Sequence, residues 1–145
     1  MTPKPDISSR AYVRRSEFGD DLVFGAEVDE SVRSLKRDAG PPDKIYDYLR
    51  ILSEMTHARR NGGLGTDMIL WLRNKRVSAS GESETILNSQ AEVRKRTWSD
   101  GVGSRTFEKH PKPNENTSPD RCVRIYFDYD ESRKKTVIGY VGRHF

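Results

Sequence analysis

The sequence of 145 residues contains a single cysteine, Cys122, and no long hydrophobic run. One cysteine excludes an internal disulfide framework and a cysteine-rich zinc site. No apolar run approaches the roughly 18 residues that are needed to cross a bilayer, and the opening residues, MTPKPDISSR, lack the apolar centre of a signal peptide. We therefore expect a cytoplasmic protein that has no membrane partner.

Hydrophobic residues are also scarce: they make up 33% of the chain, the same share as charged residues. A single domain is the expectation for this length, with part of the chain in loops, a tail or an insertion. Lysine and arginine number 26 against 22 aspartate and glutamate residues, which gives a formal charge of +4. This excess favours a polyanionic partner such as RNA, although many proteins without such a partner carry as much.

The first part of the chain predicts an arm, a strand and two helices. Residues 1–21 are polar and carry the run RAYVRR, which is typical either of a solvated tail or of a basic N-terminal arm that contacts a phosphate backbone. LVFGAEV, residues 22–28, predicts a strand, and a short helix follows over about Glu30–Asp38. A second helix is predicted over roughly Asp43–Ala58, where apolar residues recur at three- and four-residue spacings. This stripe consists of Ile45, Tyr48, Leu49, Leu52 and Met55.

The remaining sequence predicts further helices and three strands. TDMILWLRNK and ESETILNSQAEVRKR are typical of helices, whereas SRTFEKH, RCVRIYFDYD and TVIGYVGRHF are typical of strands. In RCVRIYFDYD, apolar residues alternate with Arg124, Tyr126 and Asp128, which is the pattern of a half-buried antiparallel strand. We predict an α+β fold whose helices cover one face of a small antiparallel sheet. The other face, with its Arg and Tyr side chains, is expected to stay open as a binding surface.

Motifs near both ends of the chain point to one family. The front stretch LVFGAEVDESVRSLKRDAGPPDKIYDYLRILSEM, the run VRIYFDYD and the ending VGRHF occur in the order found in that family. In these features the sequence resembles the RelE/ParE toxin superfamily of bacterial toxin-antitoxin systems. The resemblance implies an N-terminal strand and helical hairpin packed on one face of an antiparallel sheet that ends in a C-terminal β-meander. One RelE-like domain would span residues 22–145, with an inserted, helical segment at about 60–100 that typical members lack.

The resemblance also implies a function and a set of site residues. It implies a toxin that cleaves mRNA, on the ribosome or directly, by attack of a ribose 2′-hydroxyl on the adjacent phosphate. Neither a metal nor another cofactor is required, and the expected partners are mRNA and a cognate antitoxin protein. Carried over by position, the catalytic candidates are Glu108, Arg124, His144 and the aromatic Phe145. Many members have Tyr where this chain has Phe145, which lacks the phenolic hydroxyl that an acid-base role would use.

The chemical properties of these residues are appropriate for this cleavage, independently of the resemblance. A base must take the proton of the nucleophile, an acid must protonate the leaving 5′-oxygen, and cations must stabilise the phosphorane. His144 titrates in the useful range, and Arg124 and Arg143 offer bidentate donors to phosphate. Phe145 and Tyr126 are candidates for stacking on an unpaired base.

The second proton carrier is left open between two residues of one polar triplet. Glu108 and His110 are the alternatives, and Lys109 between them is, with His110, a further candidate for substrate binding. The same triplet precedes two prolines and is equally typical of the start of a loop. His144 has the alternative of an inert terminal histidine, and Arg124 that of a solvated charge on a strand.

The register of the last two strands decides which side chains share a face. A turn of four residues, 131–134, pairs residue 130 with 135 and puts Arg124 opposite Val141. A turn with an odd number of residues pairs Arg124 with Gly142, because a slip of one residue moves every side chain to the other face. Near its end a strand can also bulge enough to turn a side chain to the other face.

Two other functions are compatible with the sequence. The first is a ParE-like toxin that shares the fold but acts on a protein such as DNA gyrase. The second is a non-catalytic module, either a degenerate toxin or an RNA-binding protein, in which the insertion covers the open face.

Overall fold

The fold is described from a computed structural model in which residues 15–33, 42–112 and 122–143 are placed. A 3-10 helix, Arg15–Phe18, precedes the first strand. The helices are α1 (Val28–Arg33), α2 (Pro42–Arg60), α3 (Met68–Asn74), α4 (Glu84–Leu87) and α5 (Gln90–Lys95). The strands are β1 (Leu22–Phe24), β2 (Ala79–Ser80), β3 (Thr97–Ser99), β4 (Ser104–Thr106), β5 (His110–Pro111), β6 (Val123–Asp130) and β7 (Lys135–Arg143). The described chain is therefore α+β, as predicted.

The central sheet has three strands in the order β1-β7-β6. β6 and β7 form the predicted antiparallel hairpin, but β1 runs parallel to β7, with Leu22 beside Thr136 and Phe24 beside Ile138. The sheet is thus mixed, and the expectation of a purely antiparallel sheet is wrong. The physical reason is the connection: the chain crosses over one face of the sheet through α1 and α2 before it returns, and such a crossover permits parallel pairing.

The predicted strand SRTFEKH, the first of the meander in chain order, does not join this sheet. Ser104–Thr106 pairs instead with Thr97–Ser99 in a separate small hairpin, and only Lys109 makes a bridge to Phe127 of β6. A local turn favours this pairing: the Asp100 carboxylate accepts the backbone N–H groups of two turn residues, Val102 and Gly103. Such a turn makes pairing with the sequence neighbour the easier choice.

The main hydrophobic core lies between the helices and one face of the sheet. All five residues of the predicted α2 stripe are buried, from Tyr48 at 6% exposed to Leu52 and Met55 at 0%. Val123, Ile125 and Phe127 point into this core from β6, which confirms the alternation seen in the sequence. α1 closes the core beside β7, where the Val141 N–H donates to the Ser31 hydroxyl. None of the described helices has the length and apolarity of a membrane span.

The opposite face of the sheet is covered, so the expectation of an open face is wrong. Phe107 and Val137, both 0% exposed, form a second core with Tyr126. Trp98 of β3 stacks on Tyr140, with ring centroids 4.8 Å apart. The cover comes from the inserted stretch and the residues after it, whose aromatic side chains gain free energy by leaving water against the sheet.

The residues directly before β1 are held on the domain by contacts with α2. Phe18 is 5% exposed and its ring contacts that of Tyr46 on α2. Asp21 forms an ion pair with Arg60 at the end of the same helix. Residues 1–14, most of the predicted basic arm, lie outside the described residues.

Candidate functional site

A β-bulge sets the register of the β6–β7 hairpin. Asp130 pairs with Lys135 across a turn of four residues, as one of the two alternatives predicted. Tyr126 then pairs with Tyr140 while Phe127 pairs with Ile138, so Gly139 is an extra residue. A Cβ at Gly139 would lie 2.6 Å from Cε1 of Phe107, so glycine is what allows this close approach.

The bulge gives Arg124 the partner that the odd-turn alternative predicted. Arg124 lies opposite Gly142, and it shares its face with Tyr126 and Tyr140. Arg143 lies opposite Val123 on the other face of the hairpin and is exposed. The structure therefore separates Arg124 from Arg143. His144 and Phe145, the two candidates that follow Arg143, lie outside the described residues.

The side chains of Arg124 and Tyr126 are both buried. Arg124 is 8% exposed and Tyr126 is 1% exposed, because β3, β4 and β5 lie over this face. A phosphate clamp and a base-stacking surface both require access for RNA. Neither residue has that access in this arrangement.

Three polar side chains from separate parts of the chain meet beside Tyr126. Oε2 of Glu82 accepts a hydrogen bond from Nε of Arg96 at 2.8 Å. Its other oxygen, Oε1, accepts from the Tyr126 hydroxyl at 3.1 Å and lies 3.1 Å from Nδ1 of His110. The imidazole of His110 stacks on the Tyr126 ring at 4.6 Å between centroids. We call Glu82, Arg96, His110 and Tyr126 the Glu82 cluster.

Burial governs the proton states in the Glu82 cluster. Burial lowers the pKa of His110 to about 4. The hydrogen bond to the Glu108 carbonyl and the charge of Glu82 oppose this shift, while the charges of Lys112 and Arg124 add to it. Burial also raises the pKa of Tyr126, and the charge of Glu82 raises it further. At neutral pH the cluster thus holds a neutral imidazole and a protonated phenol, with the Glu82 carboxylate facing Arg96.

The two acceptors beside Nδ1 define the tautomer of His110. Nδ1 lies 3.1 Å from the Glu82 carboxylate and 3.2 Å from the carbonyl oxygen of Glu108. Both are acceptors, so Nδ1 carries the proton and Nε2 is left with a lone pair. A carboxylate that holds an imidazole in this way is a recurrent arrangement for a general base.

The other members of the predicted triplet lie outside the Glu82 cluster. The Glu108 side chain is 45% exposed, and only its backbone carbonyl contacts His110. Lys109 extends toward Asp128, with Nζ 3.8 Å from Oδ1. Of the two alternatives for a second proton carrier, His110 is therefore the one with a supporting carboxylate.

Sequence reasoning missed Glu82 and Arg96. Glu82 lies between β2 and α4, and Arg96 follows α5, so both belong to the stretch that the sequence predicts only as an insertion. Their side chains are 8% and 5% exposed. No spacing in the sequence relates either residue to His110 or Tyr126, because tertiary packing of four separate segments brings them together.

A metal centre and a ligand cavity are the two other kinds of site. No group of three metal-ligating side chains occurs within residues 15–33, 42–112 and 122–143. A polar cavity of about 480 Å³ beside the C-terminal end of α2 is lined in part by Arg59, Arg60 and Tyr129. Its two arginines are already paired, Arg59 with Glu131 and Arg60 with Asp21, so the cavity offers little free charge to a ligand.

Comparison of the chain with protein-family models, with curated proteins and with solved structures gave no match.

Proposed function

We propose that the chain is a RelE-like endoribonuclease toxin that cleaves mRNA without a metal ion. The observation that carries the proposal is the pair formed by Glu82 and His110, close enough to Arg124 for its charge to act on the imidazole. A strand, a helical pair on one face and an antiparallel hairpin also agree with the resemblance in the sequence. An antitoxin protein would be the partner that restrains the activity.

The reaction needs one base, one acid and one cation. Nε2 of His110 takes the proton of the ribose 2′-hydroxyl while the 2′-oxygen forms a bond to phosphorus. The bond between phosphorus and the 5′-oxygen breaks, and His144 gives its proton to that oxygen, which leaves a 2′,3′-cyclic phosphate and a 5′-hydroxyl. Arg124 stabilises the phosphorane. Arg143 and Phe145 keep the roles that the sequence predicts for them, contact with phosphate and stacking on a base.

Burial of the residues around the Glu82 cluster favours a second candidate function. His110 and Arg124 are 6% and 8% exposed, so RNA reaches them only when the residues packed around them move aside. If that movement does not occur, the Glu82 cluster is a structural contact, and the protein is a non-catalytic RNA-binding module. A ParE-like action on a protein target would leave RNA intact and change DNA supercoiling.

The deciding experiment is a cleavage assay with purified protein in an in vitro translation mixture. Wild type is expected to abolish translation and to yield mRNA fragments with cyclic phosphate ends. His110→Gln and His144→Ala should each slow cleavage at least about 100-fold, which is the usual contribution of a proton carrier. His57→Gln, at an exposed histidine on α2, is the matched control and should cleave like wild type.

Each outcome separates the candidates. Absence of cleavage by wild type, under conditions where a known toxin of this type cuts, overturns the proposal. Cleavage that survives both histidine substitutions also overturns it. RNA binding without cleavage assigns the second candidate.

A further inference from the structure

A group of basic residues lies at the C-terminal end of α3 and in the turn that follows it. Residues 68–81 contain three basic residues and no aspartate or glutamate. The three are Arg73, Lys75 and Arg76, and all are exposed. We call them the α3 basic strip.

The charges of the α3 basic strip are not neutralised by contact. Other arginines of the described chain form ion pairs with carboxylates; these are Arg50, Arg59, Arg60, Arg96, Arg105 and Arg133. Within the described residues, no carboxylate lies in ion-pair distance of Arg73, Lys75 or Arg76. Arg73, Lys75 and Arg76 are therefore three neighbouring cations that are available to an external anion.

Two features restrict the conformation of the α3 basic strip, a hydrogen bond of one side chain and the backbone angle of another residue. The Arg73 Nε donates to the carbonyl of Ala79 at 3.1 Å, which ties this side chain to β2. Arg76 ends the turn after the helix with φ of 64°, a conformation that favours glycine or asparagine. Arginine at such a position bears a conformational cost of about 1 kcal/mol. A strained residue of this kind is a reason to look for a function of its side chain.

Apolar side chains lie on the same short helix. Leu70 is 45% exposed, one of the large hydrophobic residues that the fold leaves in contact with solvent. Trp71 is half-buried, and Nζ of Lys75 lies 5.2 Å from its ring centroid. Cations beside exposed apolar and aromatic groups are the composition of surfaces that bind single-stranded nucleic acid, whose bases are free to pack on side chains.

Backbone contacts connect the α3 basic strip to the Glu82 cluster. Ser80 of β2 pairs with His110 of β5, one residue beyond the carbonyl that Arg73 contacts. The Lys112 N–H also donates to the carbonyl of Ser78 at 2.7 Å, which places this residue alongside the same strand. An RNA strand that crosses the α3 basic strip would therefore continue toward His110.

We infer that the α3 basic strip binds the phosphate backbone of single-stranded RNA and guides it toward the Glu82 cluster. The inference rests on the proposed function for the identity of the polyanion. It adds a binding surface that belongs to the inserted stretch, where the sequence predicts no functional residue.

The test is binding of a short fluorescent single-stranded RNA, followed by anisotropy at salt concentrations from about 50 to 200 mM. The double variant Lys75→Gln/Arg76→Gln removes two charges and leaves the Arg73 contact with β2 in place. Its affinity should fall about five- to tenfold, and the slope of log K against log salt should decrease by about 0.7 for each lost contact. The matched control is Arg33→Gln/Lys44→Gln, which removes two exposed charges from α1 and α2 and should bind as wild type does.

Several results would overturn the inference. Equal losses in the two double variants would mean that only net charge matters. Unchanged binding by Lys75→Gln/Arg76→Gln would exclude the strip, and tighter binding of duplex RNA or of polyglutamate than of single-stranded RNA would assign it to another partner.

Failure of this inference is distinguishable from failure of the proposed function. If RNA binds through the strip but is not cleaved, the binding surface stands and the nuclease proposal fails. If RNA is cleaved equally by wild type and by Lys75→Gln/Arg76→Gln, the nuclease stands and the strip is excluded.

Discussion

Nδ1 of His110 lies 3.1 Å from Oε1 of Glu82, in a region where both side chains are less than a tenth exposed. This contact joins the inserted stretch to β5, and through Tyr126 to the central sheet. The same contact affects the pKa of His110, the packing of the inserted stretch and the proposed reaction. Its energetic consequences are measurable whether or not RNA is the substrate.

The burial of His110 predicts a stability that depends on pH. Its pKa falls to about 4 on folding, so between that pH and about 6.5 the unfolded chain binds more protons than the folded one. Stability is therefore complete above about pH 6.5 and is lost as the pH falls toward 4. We expect the free energy of unfolding in urea to decrease by about 2 kcal/mol from pH 7 to pH 5. His110→Gln should remove most of this decrease, and an unchanged decrease in that variant would contradict the assignment.

Replacement of the Glu82 carboxylate should be costly. Glu82→Gln removes the more buried of the two carboxylates that pair with Arg96 and leaves only Glu92, so the expected cost is about 1–3 kcal/mol. Glu131→Gln is the matched control, because the side chain of Glu131 is 76% exposed in its pair with Arg59, and its loss should cost less than about 0.5 kcal/mol. Urea unfolding measures both. Equal effects would show that the Glu82 cluster has no special energetic role.

The bulge at Gly139 predicts intolerance of a single methyl group. A Cβ there would meet the ring of Phe107 at 2.6 to 2.9 Å, and the ring is enclosed on all sides in the second core. Gly139→Ala should destabilise the protein by about 1–3 kcal/mol. Gly81→Ala is the control, because nothing lies within 4 Å of the added atom, and its unfolding midpoint should stay close to that of wild type.

The turn between β6 and β7 depends on the carboxylate of Asp130. This carboxylate accepts hydrogen bonds from Ser132 Oγ at 2.8 Å and from Arg133 Nε at 2.6 Å. The bond from Ser132 lowers the pKa of Asp130 strongly, and burial opposes the shift only in part. A depressed pKa gives stability that is present above about pH 4 and is lost as the pH falls below it.

Asp130→Asn should therefore cost about 1–2 kcal/mol at pH 7 and should flatten the acid limb of the stability curve. Asp47→Asn on the exposed face of α2 is the control and should leave that limb unchanged. An acid limb of normal steepness in Asp130→Asn would show that other carboxylates cause it.

Elements with a strong hydrophobic periodicity were predicted from the sequence, whereas contacts that depend on tertiary packing were not. The α2 stripe from Ile45 to Met55 was predicted because a helix repeats its buried face at regular spacing. The β6–β7 hairpin was predicted for the same kind of reason, and the length of its turn was among the alternatives. Its register could not be predicted, because the bulge at Gly139 depends on Phe107, which reaches the hairpin from another part of the chain.

In the candidate site, too, some residues were identified from the sequence and others only from the structure. Arg124, Tyr126 and His110 were named from the sequence, and the structure brings Tyr126 and His110 into contact. Glu82, which holds His110, lies in the stretch with the weakest periodicity, so no pattern marked it. The expectation of an open face failed because the sequence does not reveal that Trp98 packs on Tyr140 and covers the sheet.

β7 contributes side chains to both hydrophobic cores, and this has a consequence for cooperativity. Ile138 faces the first core and Val137 the second, while the pairing of β7 with β1 joins segments from opposite ends of the described chain. Neither core is complete until β7 has joined the sheet, because each contains side chains from this strand. Trp71 reports on the first core and Trp98 on the second. Their fluorescence should therefore change in one transition in chevron and equilibrium experiments on single-tryptophan variants, and two separate midpoints would show that the layers fold independently.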